Sequence, residues 1–359
     1  MRIGVDARHL AAGRGVARYL RQTLGALAER HPGDELIAFV PGRAPVDVPA
    51  GVTLRRHPLP GRALFAAGAL TGRPALERLC GGGLDVVWVP APAPVGLDGS
   101  APLVLTVHDL SWVVRPRDFT PYERAWHAAG RLDRLARRAA QVVCVSQATA
   151  ARVREHWHVA DDRLRVVPEG PGAPAVVVDV SQSETRTTTA PYVLCVGALE
   201  PRKAPELLAG AHARARARGL REELVFAGAG RLASRLEGRP GVRLVGPVQG
   251  EALDALVRSA TALVAPAFDE GFGLTPLEAL VRGVPPVVAD LPVYDETLGA
   301  GALRFPAGDA TGLADALLRV SADAALRARI VAEGRAAIAA LSWAACADGL
   351  HAAFEAAAR

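Results

Sequence analysis

The sequence predicts an α/β protein built from two parallel-sheet domains, and three observations carry that expectation. The chain has 359 residues, too many for one ordinary core and about right for two domains of roughly 150–180 residues each. Short β-branched runs alternate with longer amphipathic stretches, the pattern of βαβ units. The alternation breaks off at residues 171–190 (PGAPAVVVDVSQSETRTTTA), a Pro-, Ser- and Thr-rich stretch without helical periodicity that reads as an interdomain linker.

Strands are expected near residues 2–5, 36–40, 52–55, 85–89, 103–107, 142–145 and 164–167 in a first domain of residues 1–170. A clear helix falls at 16–29, where Val16, Leu20, Thr23, Leu24 and Leu27 recur at helical spacing. The pattern restarts with strands near 192–196, 224–226, 242–245, 262–265, 286–289 and 303–305, a second domain of residues 191–340. The Ala-, Leu- and Arg-rich stretch 321–359 reads as two helices broken around Leu341 and Ser342, and its last part, 341–359, is expected to pack back on the first domain.

Hydrophobic residues make up 50% of the chain and charged residues 22%, a globular composition. The N-terminus lacks the apolar run of a secretory signal, and the longest uncharged stretch, residues 139–151, falls short of the roughly 18 apolar residues of a membrane helix. Cys80, Cys144, Cys195 and Cys346 are far apart, without metal-ligand spacing, and read as reduced core residues of a cytoplasmic protein. The net charge of +5 invites a nucleic-acid partner, but with 5% aromatic residues and dispersed arginines no nucleic-acid motif emerges. Arg131, Arg134, Arg137 and Arg138 form either a solvated helix face or a contact for anionic lipid at a membrane surface. Lys203 is the sole lysine among 42 basic residues, which singles it out.

The densest chemical signal is APAFDEGFGLTPLEA at 265–279, where a strand ends, a glycine loop follows and a helix begins. Ligands of parallel sheets bind at this carboxyl-terminal edge. Gly271, Phe272 and Gly273 bring the backbone close to a ligand, and the helix start at Leu274 and Thr275 presents unpaired N–H groups that suit a diphosphate. Glu270 and Glu278 flank the loop at a separation of about 10 Å, a span from a sugar to a ribose. Taken alone, Glu270 reads as a surface loop residue and Glu278 as a helix-start charge favoured by the dipole. GALEPRK at 197–203 places Arg202 and Lys203 after the first strand of the second domain, a planar fork beside a compact charge. GRGVARY at 13–19 follows the first strand and opens a helix, but Arg18 stands where a dinucleotide fingerprint needs its third glycine. LTVHDLSW puts His108 and Asp109 at the same edge of the first sheet.

With EGFGL, PLEA and the Glu, seven residues, Glu spacing in place, the sequence resembles glycosyltransferase family four over most of the chain. The resemblance implies the GT-B fold, two Rossmann-like domains facing a central cleft, the first binding acceptor and the second binding a nucleotide sugar. It implies a retaining, metal-independent hexosyltransferase, with Glu270 at the donor sugar, Glu278 on the ribose, and Arg202 and Lys203 on the leaving diphosphate. It implies Gly15 as a point of close approach to phosphate. It also places His108 at the donor sugar, where a hydrogen bond or partial positive charge would act in an oxocarbenium-like transition state. Ser146 in VCVSQAT and the VVPEG turn also resemble family positions. Two departures stand out: Thr275 replaces a common proline, and Glu169 replaces a common asparagine.

No Asp-x-Asp pair occurs, so no carboxylate-held metal and no cofactor is expected; the nucleotide sugar is itself a substrate. The HDLSW and FTPYERAW runs look mannosyltransferase-like, which makes GDP-mannose the first donor to consider. The acceptor hydroxyl, on a saccharide, lipid-linked saccharide or small-molecule glycoside, is assigned to first-domain loops such as 58–72, which carry no recognisable code. A nucleotide-sugar epimerase on the same fold and a non-catalytic nucleotide-binding scaffold are the competing readings.

Overall fold

The computed structural model describes residues 1–11, 15–172 and 190–359, so Gly13, Arg14 and most of the linker stretch lie outside the described residues. The chain divides into two units, Met1–Gly170 with Leu341–Arg359, and Pro171–Ala340.

Among the described residues the first unit holds a seven-stranded parallel sheet: β1 (Arg2–Asp6), β2 (Glu35–Pro41), β3 (Val52–His57), β4 (Val86–Val89), β5 (Leu103–Val107), β6 (Gln141–Cys144) and β7 (Leu164–Val166). Their order is β3-β2-β1-β4-β5-β6-β7. The central strands are buried along their length, since helices cover both faces of such a sheet and no face can be polar. The helix Gly15–Arg30 joins β1 to β2 and buries Ala17, Tyr19, Leu20, Thr23, Leu24 and Leu27 in one stripe. That stripe shares a core with Cys346, Ala347, Leu350, Ala353 and Phe354 of the helix Trp343–Ala358, so the end of the chain completes the first unit. Burying each such leucine or phenylalanine stabilises the unit by about 1.5–3 kcal/mol. Ser342 starts this helix by accepting a hydrogen bond from Ala345 N at 3.0 Å. Arg30 then clamps Asp348 with two bonds of 2.7 and 2.6 Å.

The second unit holds a six-stranded parallel sheet: β8 (Tyr192–Val196), β9 (Glu223–Ala227), β10 (Val242–Gly246), β11 (Ala262–Ala265), β12 (Pro286–Ala289) and β13 (Leu303–Phe305). The order is β10-β9-β8-β11-β12-β13. Each sheet is thus doubly wound, and its order reverses once, between β1 and β4 in the first unit and between β8 and β11 in the second. At such a switch point the loops leaving neighbouring strands diverge to opposite faces and open a crevice at the carboxyl edge. The motif-bearing loops at 197–203 and 265–273 leave β8 and β11, and the loop before Gly15 leaves β1.

Candidate functional site

In the second unit the loop after β8 is stitched to the loop after β9. Gly197 N donates to Ala227 O and Leu199 N to Ala229 O, both at 3.0 Å. This approach requires glycine at 228, where φ is +159° and a Cβ would collide with the Gly197 carbonyl. Arg231 Nε pairs with Glu200 at 2.8 Å, closing the same junction. The loop finishes in the 3-10 turn Pro201–Lys203, ahead of the helix Pro205–Ala217.

The loop after β11 is fastened to this one by Phe268 N, which donates to Arg202 O at 2.9 Å. Lys203 Nζ forms a short ion pair with Glu270 Oε2, and the two side chains keep 25% and 20% of their exposure. Cys195, Gly197, Lys203, Glu270, Thr275 and Pro276 line one small pocket. Burial pushes the Cys195 thiol up to about 12, although Lys203 opposes the shift, so this sulfur is an inert lining group.

Gly273, at φ +86°, turns the chain into the helix Leu274–Val281 with no side-chain cap. A helix start of this kind leaves its first-turn N–H groups for an anion. Tyr294 packs against the turn so closely that a Cβ on Gly273 would strike its ring. The Tyr294 hydroxyl is buried without a hydrogen-bond partner among the described residues, and burial, with Glu270 adding, raises its pKa well above 10. Phe272 is buried beneath the loop, and Glu278 is buried within the helix. The Glu278 carbonyl accepts from Arg282 at 3.1 Å, and Arg282 is held by Asp254 at 2.7 Å. One cation, Lys203, and a helix start without a side-chain cap at this pocket are features suited to an anion, and the partly exposed Glu270 is an acceptor suited to hydroxyl groups.

In the first unit His108 follows β5 and is held at both ring nitrogens. Nδ1 lies 2.8 Å from Glu169 Oε1 and Nε2 lies 2.9 Å from Pro90 O. Tyr19 and the imidazole lie nearly perpendicular, at 4.6 Å between centroids. Tyr19 is itself backed by Trp88 and, from the C-terminal helix, Trp343. Burial alone would lower the histidine pKa, but the Glu169 hydrogen bond and charge outweigh it, with Pro90 O and Asp109 adding, and the pKa is raised. Ser146 caps the helix Gln147–Trp157 by accepting from Thr149 N at 3.0 Å, and Thr149 Oγ1 donates to His108 O at 3.1 Å. Gly15 is the first residue of the helix that carries Tyr19, and a Cβ there would meet nothing within 4 Å.

The sequence-derived residues therefore gather in two groups, Arg202, Lys203, Glu270, Gly271, Phe272, Gly273, Leu274, Thr275 and Glu278 in the second unit, Gly15 and His108 in the first. Sequence reasoning missed Glu169 as the partner of His108, Tyr294 under the Gly273 turn, and the Gly228–Arg231 loop. The FAGAGR run after a strand was a legible signal for that loop. Tyr294 sits in a short helix, Val293–Thr297, with no local motif to mark it.

Residues 13–170 match the family model described as Glycosyltransferase Family 4, and residues 179–337 match Glycosyl transferases group 1. The chain is 34% identical over 117 residues to phosphatidyl-myo-inositol mannosyltransferase of Mycobacterium leprae (strain TN), covering 32% of this chain and 31% of that protein. It thus aligns with under a third of that relative's length. It is 26% identical over 268 residues to O-antigen chain mannosyltransferase B of Escherichia coli, covering 68% and 67% of the two chains. Among solved structures, sucrose-phosphate synthase from Thermosynechococcus elongatus superposes with a TM-score of 0.77 at 20% identity, over 99% of this chain and 98% of that one, a likeness of fold. With a glycosyltransferase family match on each unit and a Rossmann-like parallel sheet in each, the chain belongs to the glycosyltransferases of the GT-B type.

Proposed function

We propose that this protein transfers a hexosyl group from a nucleotide diphosphate sugar to an acceptor hydroxyl, with retention of anomeric configuration and without a metal ion. The observation that carries the proposal is the meeting of Lys203, Glu270 and the helix-start residue Thr275 around one pocket, the helix Leu274–Val281 having no side-chain cap. A diphosphate would take Lys203 from Glu270 and accept from the Arg202 guanidinium and the first-turn amides. The released Glu270 carboxylate would then accept hydrogen bonds from sugar hydroxyls, while Glu278 would meet the ribose. Charge growing on the departing phosphate is met by groups already in place, which is why no metal is invoked. GDP-mannose is the first donor to try, because the sequence relatives are named as mannosyltransferases. A saccharide or lipid-linked saccharide is the acceptor class to try. No helix among the described residues is long and apolar enough to cross a membrane. Contact with a membrane surface rests on the arginine-rich helix Leu132–Arg138 alone.

Retention is what the family resemblance implies: the leaving phosphate would accept the acceptor proton on the face it departs from. The test is donor turnover over a panel of GDP-, UDP- and dTDP-sugars, with and without saccharide acceptors, in the presence of excess EDTA. Acceptor-dependent transfer that survives EDTA and yields a retained linkage by NMR is the expected result. Activity lost to EDTA and restored by Mn²⁺ would overturn the metal-free account, and an inverted first product would overturn retention. Isomerisation of the donor sugar without acceptor would make the protein an epimerase, and no turnover of any donor would leave a binding scaffold.

A further inference from the structure

The two acceptors at the His108 ring determine its protonation by geometry. A backbone carbonyl can only accept, so Nε2, 2.9 Å from Pro90 O, must carry a hydrogen. A carboxylate likewise accepts, so Nδ1, 2.8 Å from Glu169 Oε1, must carry one too. With Glu169 ionised, only the imidazolium satisfies both contacts; a protonated Glu169 would instead donate to a neutral Nδ1. We propose that Glu169 is a positioning residue that locks His108 as a doubly protonated imidazolium, which then offers a substrate a fixed positive charge and no free ring nitrogen.

The surroundings fit this assignment from every side. Glu169 follows β7 and its side chain is 4% exposed, so the charge it carries needs a cation close by. Asp109, next to His108, accepts from Ser111 N at 2.9 Å and adds negative charge on the same side. His9, on the 3-10 helix Arg8–Ala11, has its pKa lowered by burial, partly offset by Asp6, with Arg8 and His108 lowering it further, so it does not compete for the proton. Tyr19 and Cys346 pack nearby and are driven up by burial, Tyr19 well above 10 and Cys346 to about 12, so both stay neutral across the working range. The asparagine that the family resemblance leads one to expect at 169 would bring no charge; glutamate makes the second N–H favourable. A cation held in this way opposes positive charge on a substrate and favours an oxygen gaining negative charge.

The kinetic arm of the test rests on the glycosyltransferase reading, and the spectroscopic arm does not. Long-range ¹H–¹⁵N spectra of the full-length chain resolve imidazole protonation, with His108→Gln identifying the resonances. At pH 8, where an ordinary histidine with a pKa of about 6.5 is neutral, wild-type His108 is expected to show two protonated nitrogens. Glu169→Gln is expected to show one, and Glu169→Asp, which keeps the charge on a shorter stem, to restore the second in part. A neutral His108 in the wild type at pH 8, or an unchanged imidazolium in Glu169→Gln, overturns the proposal. With a donor in hand, Glu169→Gln should lose kcat several-fold relative to wild type as pH rises from 6 to 8, with KM little changed, because its His108 no longer has the carboxylate that holds the second proton. A pH profile identical to wild type would remove His108 charge from the mechanism. Wild-type protein inert to every donor, with the imidazolium signature intact, would instead remove the transferase reading and leave the Glu169 lock standing.

Discussion

Lys203 and Glu270 in the second unit keep 25% and 20% exposure, whereas His108 and Glu169 in the first keep 18% and 4%. Both are pairs of opposite charge at the carboxyl edge of a parallel sheet, and the difference in burial gives them different work. An ion pair open to water is worth little and is easily exchanged for another partner. A buried one resists separation, because removing either member leaves an uncompensated charge in a low dielectric. The second unit thus presents a charge that a ligand can redirect. The first holds one that stays in place throughout.

The largest expected effects break this contrast by removing a charge from each side. Under the proposed function, Glu270→Ala and His108→Ala each lower kcat by about 10²-fold or more while donor Kd changes by no more than a few-fold, since both act on charge that develops during reaction. Glu278→Ala should do the reverse, weakening donor binding with kcat largely kept, because a ribose contact is equal in ground and transition states. Equal losses of binding in all three would show that the division between reacting and anchoring residues is wrong.

A smaller effect sharpens the second-unit half of the comparison. Lys203→Ala should weaken donor binding by about 1–3 kcal/mol, the range for a charge-assisted hydrogen bond. Lys203→Arg should recover only part of it, since a planar fork does not fit a point-charge position. As the sole lysine, Lys203 is read directly by mild amine acylation, with the N-terminal amine, paired to Asp34 at 2.5 Å, as the internal control. Donor should protect Lys203 and leave Met1 unprotected. Equal labelling with and without every donor would move the phosphate site to Arg202 and the 271–275 amides.

Legibility followed the same division. Every expected strand of both units is present, from Arg2–Asp6 to Leu303–Phe305, and the central ones, covered on both faces, read as uninterrupted apolar runs. The second-unit loops were equally readable: their chemistry sits in contiguous segments, GALEPRK and EGFGLTPLEA, and a glycine or lysine signals its use locally. The His108 arrangement was not. Its partners, Tyr19, Pro90 and Glu169, lie up to 89 positions away from it, with 61 positions separating His108 from Glu169, and none has a spacing that announces a contact. Only the order of β4, β5, β6 and β7 in the sheet brings the ends of these strands side by side. Glu169 was visible merely as a departure from an expected asparagine, and that departure acquires meaning once the imidazole is 2.8 Å away.

The glycines separate backbone need from ligand need. Gly273→Ala forces a side chain into the left-handed region at φ +86° and against the Tyr294 ring, so it should cost at least about 1–2 kcal/mol of stability. Gly15→Ala opens no such conflict, as its Cβ would point into space within the first turn of a helix, and stability should stay within about 1 kcal/mol of wild type. Thermal or denaturant unfolding of the two variants distinguishes them. If Gly15→Ala unfolds as readily as Gly273→Ala, the first loop is needed for folding and says nothing about ligand approach.

The smallest effect concerns the resting protein and needs no substrate. The folded His108 pKa is raised above its ordinary 6.5, the Glu169 contact outweighing burial, so the folded state binds this proton more tightly than the unfolded chain does. The sign follows from linkage: the stabilisation is fully present below about pH 6.5 and is lost as pH rises through the folded pKa. Wild type and His108→Gln should therefore differ most in Tm near pH 6, and the gap should narrow as pH rises toward 9. A Tm gap for His108→Gln that widens with pH would mean that the folded protein prefers the neutral imidazole. In that case the buried pair at His108 is not a held charge, and the contrast between the two units disappears.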